Sequence, residues 1–374
     1  MYKKKILFLF YRSPLDFKTS NDQRQNLIYS TLKDNFEVKI LTFGNKNLQS
    51  EEQDVVLLRK SNTEKLFKFL FRLQSPRLTH YLSQEFKKLF EELLINFKPD
   101  YIYVEHLLMM QYVMNTKTNS KIIFFNDESN LYIKEKNLRG SFYQKLRNSG
   151  LAKLETEACK KADVVLTITE DEENFLRQKG YKNVLTIPYG INKDYFEFNW
   201  KNPEEKTIIF LGDYSHYPNR KAIKYLINHI IPNLSDIGVS LKIVGRNTDC
   251  IKNLLSGSVK VFENVPEVRS YLYNSSVFVA PIFTGAGLRV KILEAALCGV
   301  PLVISPAANL GINFVDKEEA FICNSKLEFN EVLRNLFSSK YDDTIDSMRL
   351  NARNKIISKF DERIVKEKII SMFN

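Results

Sequence analysis

Residues Val277 to Ser305 read VFVAPIFTGAGLRVKILEAALCGVPLVIS. The first four, Val277 to Ala280, are a short apolar run with the character of a buried strand, and Pro281 stops it. Thr284-Gly285-Ala286-Gly287 follows as a loop of small residues, where the backbone can turn sharply and approach a ligand. From about Leu288 the period becomes helical, with Leu288, Ile292, Ala295 and Ala296 on one face. Gly299 closes this helix and Pro301 follows, the order expected at a helix C-terminus. Leu302-Val303-Ile304 is the next buried strand. Strand, glycine loop, helix and strand make one unit of an open parallel sheet, in which ligands sit beyond the carboxyl ends of the strands.

The charges on this stretch indicate the ligand. The unpaired N–H groups at a helix start attract anions, phosphates above all. Arg289 and Lys291 lie at that end, although cations there oppose the helix dipole and a purely structural helix would carry Asp or Glu. Glu294 stands one turn further in, placed to accept hydrogen bonds from sugar hydroxyls. Two cations, a small-residue loop and one carboxylate suit a nucleoside diphosphate with its ribose. The competing reading makes Lys291 and Glu294 an ordinary i,i+3 surface pair worth about 0.3 kcal/mol, with Arg289 a solvated charge.

The chain has 374 residues, enough for two domains of ordinary size. Its 44% hydrophobic and 12% aromatic content allows large cores and excludes a disordered protein. A net charge of +11 points to a negatively charged partner. Nucleic acid, an anionic lipid surface and a phosphorylated substrate all qualify. Cys159, Cys250, Cys298 and Cys323 are scattered, without metal spacing, and read as buried thiols of a reducing compartment. The N-terminal run Ile6 to Phe10 is soon broken by Arg12, Pro14 and Asp16, so it reads as a first strand rather than a signal peptide. No stretch is long and apolar enough to span a bilayer.

Outward from the opening stretch, strands and helices alternate along the whole chain. Strands are expected at Lys5 to Phe10, Glu37 to Phe43, Val55 to Leu58, Tyr101 to Val104, Ile122 to Phe125, Val164 to Thr169 and Val184 to Ile187. After a polar stretch the pattern restarts at Thr207 to Leu211, with a helix over Asn219 to Leu234, then strands at Leu241 to Val244 and Val259 to Phe262. The chain is therefore α/β, with two Rossmann-like doubly wound domains whose facing carboxyl ends form a crevice. The expected boundaries are 1–193 for the first domain, 194–205 for a linker containing Trp200, 206–357 for the second domain, and 358–374 for a C-terminal helix packing back on the first. Two segments interleave basic and aromatic residues. One has Lys65, Lys68 and Arg72 among Phe67, Phe69 and Phe71; the other runs from Lys134 to Lys153. Each reads either as a surface for membrane or acceptor or as a core helix with a basic outer face.

Glu105-His106 and Asn126-Asp127-Glu128 end two first-domain strands on the crevice side. Asp127 and Glu128 fit a general base or acceptor contacts, and fit equally the first turn of a helix starting at Asp127. His216 stands beside Tyr214 and Tyr217, with its role open.

The ordered set FLGDYSHYPNRKAI, IVGRN, NVPEVRSYL and GAGLRVKILEAALCGVPLVIS resembles the GT-B-fold retaining glycosyltransferases of family four, glycosyl transferases group 1. Within it, the sugar transferases of bacterial surface-polysaccharide synthesis are the most similar subgroup. The first half is similar through LFLFYRSP, YVEHLLM, NDESN, ADVVLTITEDE and VLTIPYGINKDYF. The resemblance implies transfer of a sugar from a UDP- or GDP-linked donor to a glycan or lipid-linked acceptor, with retention and without a bound metal or other cofactor. It implies that Arg289 and Lys291 neutralise the diphosphate and that Glu294 holds the ribose. Gly212, Gly245, Arg246, Val265, Gly285, Ala286, Gly287 and Leu288 would line the donor site, Val265 by its backbone at the base. His106 matches the first-domain histidine near the transferred sugar, and Arg24 an acceptor-side residue. Ala286 departs from the pattern, since many members have Glu there. Gly212-Asp213-Tyr214 departs too, since basic residues are common at that point.

The implied place of action is cytoplasmic, on the inner face of the plasma membrane, with an anionic lipid surface as a further partner and nucleic acid excluded. The alternatives are a nucleotide-sugar 2-epimerase-like GT-B enzyme, which needs extra acid/base carboxylates, and a basic nucleic-acid-binding protein. No helix-turn-helix, RNA-binding or zinc signature supports the latter.

Overall fold

The structure, a computed structural model, describes residues 3–13, 20–43, 55–58, 83–135, 142–201, 203–254, 258–285, 287–338 and 342–373. The chain divides into two compact units, Met1–Gly190 with Val365–Asn374, and Ile191–Ile364.

The first unit is built on a seven-stranded sheet in the order β3-β2-β1-β4-β5-β6-β7, with every pairing parallel. Its strands are β1 Lys5–Phe10, β2 Glu37–Phe43, β3 Val55–Leu58, β4 Tyr101–Glu105, β5 Lys121–Asn126, β6 Val164–Thr167 and β7 Val184–Thr186. Its longer helices are α1 Ser20–Lys33, α2 Gln84–Asn96, α3 Asn130–Glu135, α4 Phe142–Lys161 and α5 Glu170–Gln178. Ile6, Leu7, Phe8, Leu9 and Phe10 are all buried, as are Ile122 to Phe125. Unbroken apolar runs of this kind belong to strands covered by helices on both faces.

The second unit repeats the plan with six parallel strands in the order β10-β9-β8-β11-β12-β13. These are β8 Thr207–Asp213, β9 Ser240–Arg246, β10 Val259–Glu263, β11 Val277–Ala280, β12 Leu302–Ile304 and β13 Phe321–Ile322. The longer helices are α6 Tyr217–Tyr225, α7 Val290–Cys298, α8 Lys326–Phe337 and α9 Asp342–Phe360, and α10 Glu362–Ser371 begins in this unit and ends in the first. In each sheet the strand order reverses once, between β1 and β4 and between β8 and β11. The gap beyond the carboxyl ends of such a strand pair is where doubly wound sheets hold ligands.

Residues 194–205, expected as a linker, fall within the second unit. Trp200 Nε1 donates to Ser275 O at 2.6 Å, and the Arg349 guanidinium lies 4.2 Å from the Trp200 ring. The helix expected over Asn219 to Leu234 is three pieces: α6, a π turn at Leu226–Ile230 and a 3₁₀ turn at Ile231–Ile237. Pro232 has no N–H to continue an α-helical ladder, and the chain changes hydrogen-bond period just before it. Cys159, Cys298 and Cys323 are buried, but Cys250 is exposed in a short 3₁₀ segment, Thr248–Leu254.

The last ten residues belong to the first unit. There Tyr101 OH donates to Phe373 O at 3.0 Å, and the buried Phe373 ring packs against Tyr101 and Phe36. Residues 358–364 stay with the second unit, where Glu362 N donates to Ile191 O. The basic aromatic segment of Lys65 to Arg72 lies outside the described residues, as does part of the Lys134 to Lys153 segment. Among the described residues no helix is long and apolar enough to cross a membrane.

Candidate functional site

In the second unit the candidate site forms where β8, β9 and β11 end. After β11 the chain turns through Gly285 and Gly287, with φ of +96° and +91°, a region that glycine enters without steric cost. A Cβ on Gly285 would lie 3.0 Å from Arg289 Nη2. Arg289 immediately precedes α7, with non-helical backbone angles, and its Nη2 donates back to Thr284 O at 3.4 Å. The guanidinium therefore lies along the glycine loop, at the end of the helix that favours anions. Gly299 closes α7 at φ +79°, as its sequence position requires.

Lys291 points from the first turn of α7 toward the end of β8. Its Nζ donates to Leu211 O at 2.7 Å and to Asn219 Oδ1 at 2.8 Å, and lies 4.4 Å from the centre of the Phe210 ring. These are neutral acceptors, so the ammonium gains no full counter-charge from them. Burial, with Arg289 nearby, pushes its pKa down to about 7, against the pull of Glu294 and Asp213. Burial pushes the Glu294 carboxyl up to about 7, and Lys291 opposes that shift. The two side chains are half-buried, so the surface-pair reading does not describe them.

The glycines of β8 and β9 make the space. A Cβ on Gly212 would stand 3.0 Å from Asn219 Nδ2 and 3.2 Å from Lys291 Nζ. A Cβ on Gly245 would lie 1.8 Å from Gly212 O, so the two strand ends meet backbone to backbone. Asn264 N donates to Gly245 O at 2.8 Å, which brings Val265 to the same strand end. Arg246 is exposed, and Leu288 is buried beneath the loop. Ala286 lies outside the described residues. Asp213, at the point where a basic residue is common in the similar family, ties two loops together. Its Oδ1 accepts from Ser215 N at 2.9 Å, Ser215 Oγ at 2.6 Å and Asn247 Nδ2 at 2.8 Å, and these bonds hold its carboxyl below the usual range. His216 precedes α6 without a capping bond from its side chain.

In the first unit the sequence-derived residues also converge. Arg24 reaches from α1 to the end of β4, with Nη2 2.6 Å from Glu105 Oε1. Both side chains are buried, and Tyr103 OH donates to the other Glu105 oxygen at 2.8 Å. The Arg24 guanidinium lies over the Phe125 ring at 3.9 Å. Burial pushes the Glu105 carboxyl up and Arg24 opposes it. His106 follows with φ +77°, a conformation that costs a non-glycine residue about 1 kcal/mol. Its Nδ1 accepts from Leu108 N at 3.0 Å, which leaves the proton of the neutral ring on Nε2. Nε2 is 3.9 Å from Asp127 Oδ1, and the Tyr11 ring covers the imidazole at 4.9 Å between centres. Asp127 and Glu128 precede α3, which begins at Asn130, so they are not its first turn.

Sequence reasoning placed Glu105 at the crevice-side end of its strand without assigning it a role, and it missed Tyr11 and Asn219, which carry no local signal. Among the described residues no group of three His, Cys, Asp or Glu side chains is placed to hold a metal ion.

Residues 205–339 match the family model for glycosyl transferases group 1. No curated protein sequence matches the chain. Solved structures match over nearly the full length. Sucrose-phosphate synthase from Thermosynechococcus elongatus is 14% identical at a TM-score of 0.74, covering 99% of this chain and 98% of that one. HepE from Anabaena in complex with UDP-glucose is 15% identical at a TM-score of 0.66, with 99% of each chain covered. WaaG, a glycosyltransferase involved in lipopolysaccharide biosynthesis, is 14% identical at a TM-score of 0.67, covering 98% and 99%. The chain therefore has the GT-B fold, and the segment of its second unit over residues 205–339 is similar to the glycosyl transferases group 1.

Proposed function

We propose that the protein transfers a sugar from a UDP- or GDP-linked donor to a glycan or lipid-linked acceptor in the synthesis of a bacterial surface polysaccharide. The observation that carries this reading is the pairing of Arg289 and Lys291 at the start of α7, beyond the glycine loop and above the Gly212–Gly245 contact. A diphosphate there receives two cations and the free N–H groups of the helix. Glu294 accepts from ribose hydroxyls. As the glycosidic bond to the diphosphate breaks, negative charge grows on the leaving group, and fixed cations stabilise that charge more than they stabilise the ground state. Two cations so placed can do this work without a divalent metal. In the first unit, the family resemblance assigns His106 to the transferred sugar, and Arg24, Asp127 and Glu128 are proposed for the acceptor. The UDP-glucose bound by HepE and the lipopolysaccharide role of WaaG lend support to donor and pathway class. Retention of configuration is part of the proposal and rests on the family resemblance.

Calorimetric titration with UDP, GDP and CMP tests the reading. One nucleotide should bind saturably, and Arg289→Ala should weaken it by about 10- to 100-fold, the loss of a charge-assisted contact. A folded protein that binds none of the three would refute it.

A further inference from the structure

The turn that carries Asp127 is gripped by a carboxylate with no part in the proposed chemistry. Glu155, on α4, is fully buried. One oxygen accepts from Asn126 Nδ2 at 2.8 Å and Ser129 Oγ at 2.6 Å, and the other from the backbone N–H groups of Asn130 at 2.6 Å and Leu131 at 3.1 Å. Those two N–H groups open α3, so a side chain from another helix caps it. All four donors come from residues 126–131. A second buried carboxylate, Glu172 on α5, accepts from Ser129 N at 3.3 Å and Thr169 Oγ1 at 3.0 Å. Among the described residues neither carboxylate has an ion-pair partner.

A buried carboxylate satisfied only by neutral donors is a costly way to stabilise a fold, since apolar residues of similar size do as well or better. What this one adds is geometric definition. Asp127 sits between two residues that Glu155 holds, Asn126 and Ser129. On the facing side, His106 N donates to Phe125 O at 3.0 Å, so the imidazole is tied to the same strand end. The Asp127–His106 separation of 3.9 Å is thus defined by anchors on both partners.

We infer that Glu155 is a positioning residue, which clamps the 126–131 turn so that the Asp127 carboxylate faces the His106 imidazole. Its catalytic consequence rests on the reading of His106 as a site residue; its structural consequence does not.

The chain has four histidines, so spectra of protein labelled with ¹³C-histidine resolve each imidazole. Glu155→Gln keeps the shape of the side chain but turns a donor toward groups that donate. It should move the His106 resonance in the same direction as Asp127→Asn, while His216 and His229 of the second unit stay in place. In an Asp127→Asn background, Glu155→Gln should add no further movement. Ser129→Ala, which removes one of the four donors, should give a smaller shift of the same kind and serves if Glu155→Gln does not fold. A His106 signal unmoved in a folded variant, or one that moves equally with and without Asp127, overturns the inference. With a donor sugar identified, Glu155→Gln should lower kcat about tenfold with KM for the nucleotide sugar unchanged, and the double variant should be no slower than Asp127→Asn alone. Losses that multiply would overturn the assignment. If no nucleotide sugar is turned over, the spectra still decide the positioning role, and only the proposed function fails.

Discussion

Donor binding should draw a proton from solution, and Lys291 is the group that takes it. In the free protein its ammonium faces Leu211 O, Asn219 Oδ1 and the Phe210 ring, with Arg289 nearby, and its pKa is pushed down to about 7. A bound diphosphate supplies the missing counter-charge and returns the group toward the ordinary lysine value of about 10.4. At about pH 8 a group of pKa about 7 is ~10% protonated when free and nearly fully protonated when bound, an uptake of ~0.9 proton per nucleotide. Glu294, raised to about 7, is then already ~90% ionised and adds little. The nucleotide's own phosphate, with a second pKa of about 6, has finished titrating. Affinity should therefore fall about tenfold between about pH 8 and 9, or ~1.4 kcal/mol, and change little from this cause below about pH 7. Calorimetry in buffers of different ionisation enthalpy reads the uptake as the slope of observed heat against buffer enthalpy. Lys291→Met should abolish the slope and weaken binding by ~1.5–3 kcal/mol, the value of a charge-assisted hydrogen bond. A wild-type slope near zero at this pH, or the same slope in Lys291→Met, refutes the reasoning.

Gly245→Ala should disrupt the donor site, because its Cβ would lie 1.8 Å from Gly212 O; nucleotide binding should weaken more than tenfold and Tm should fall. Gly180→Ala, at φ +96° with open space around the Cβ, is the control, and should cost only ~1 kcal/mol of stability with binding unchanged. Burial pushes the Glu172 carboxyl up to about 7, above the unfolded value of about 4.3, so the folded chain binds more protons between those limits. The stabilising contribution of this group is then complete below about pH 4.3 and lost as pH rises through about 7. Relative to wild type, Glu172→Gln should gain ~2–3 kcal/mol across that window, measured by urea unfolding at several pH values, and a flat difference would count against the assignment.

The apolar strands and the glycine loop were legible because each is a local pattern. Ile6 to Phe10, Ile122 to Phe125 and Val277 to Ala280 are all buried strands, and the sequence around Gly299 and Pro301 places the end of α7 where it is found. Arg289 and Lys291 stood out because cations at a helix start oppose its dipole, whereas Gly212 and Gly245 were assigned through the family resemblance. The three-part segment after Tyr217 was less so, since apolar spacing does not distinguish α, π and 3₁₀ turns, and Pro232 acts on the turn before it. Trp200 misled for another reason. The stretch around it is polar, but its fit into the second unit comes from Ser275 and Arg349, distant in sequence.

What stayed hidden was the partner of each charged residue. Lys291 and Glu294 have the spacing of a surface ion pair, yet Lys291 Nζ turns to Leu211 O and Asn219 Oδ1, 80 and 72 residues away in the chain. Glu155 looks like any acidic position on a mixed helix; only the fold shows its four donors. Local sequence reports that a charge is present and the backbone it sits on, whereas its pKa depends on what the tertiary structure sets against it. The same lysine could be a solvated cation or a neutral amine awaiting a diphosphate. Choosing between them requires the Phe210 ring and the neutral acceptors that Lys291 Nζ meets, Leu211 O and Asn219 Oδ1. That is why proton uptake is a sharper test of this site than loss of binding alone: any damaged pocket binds less, but only a lysine held this way gains a proton when the nucleotide arrives.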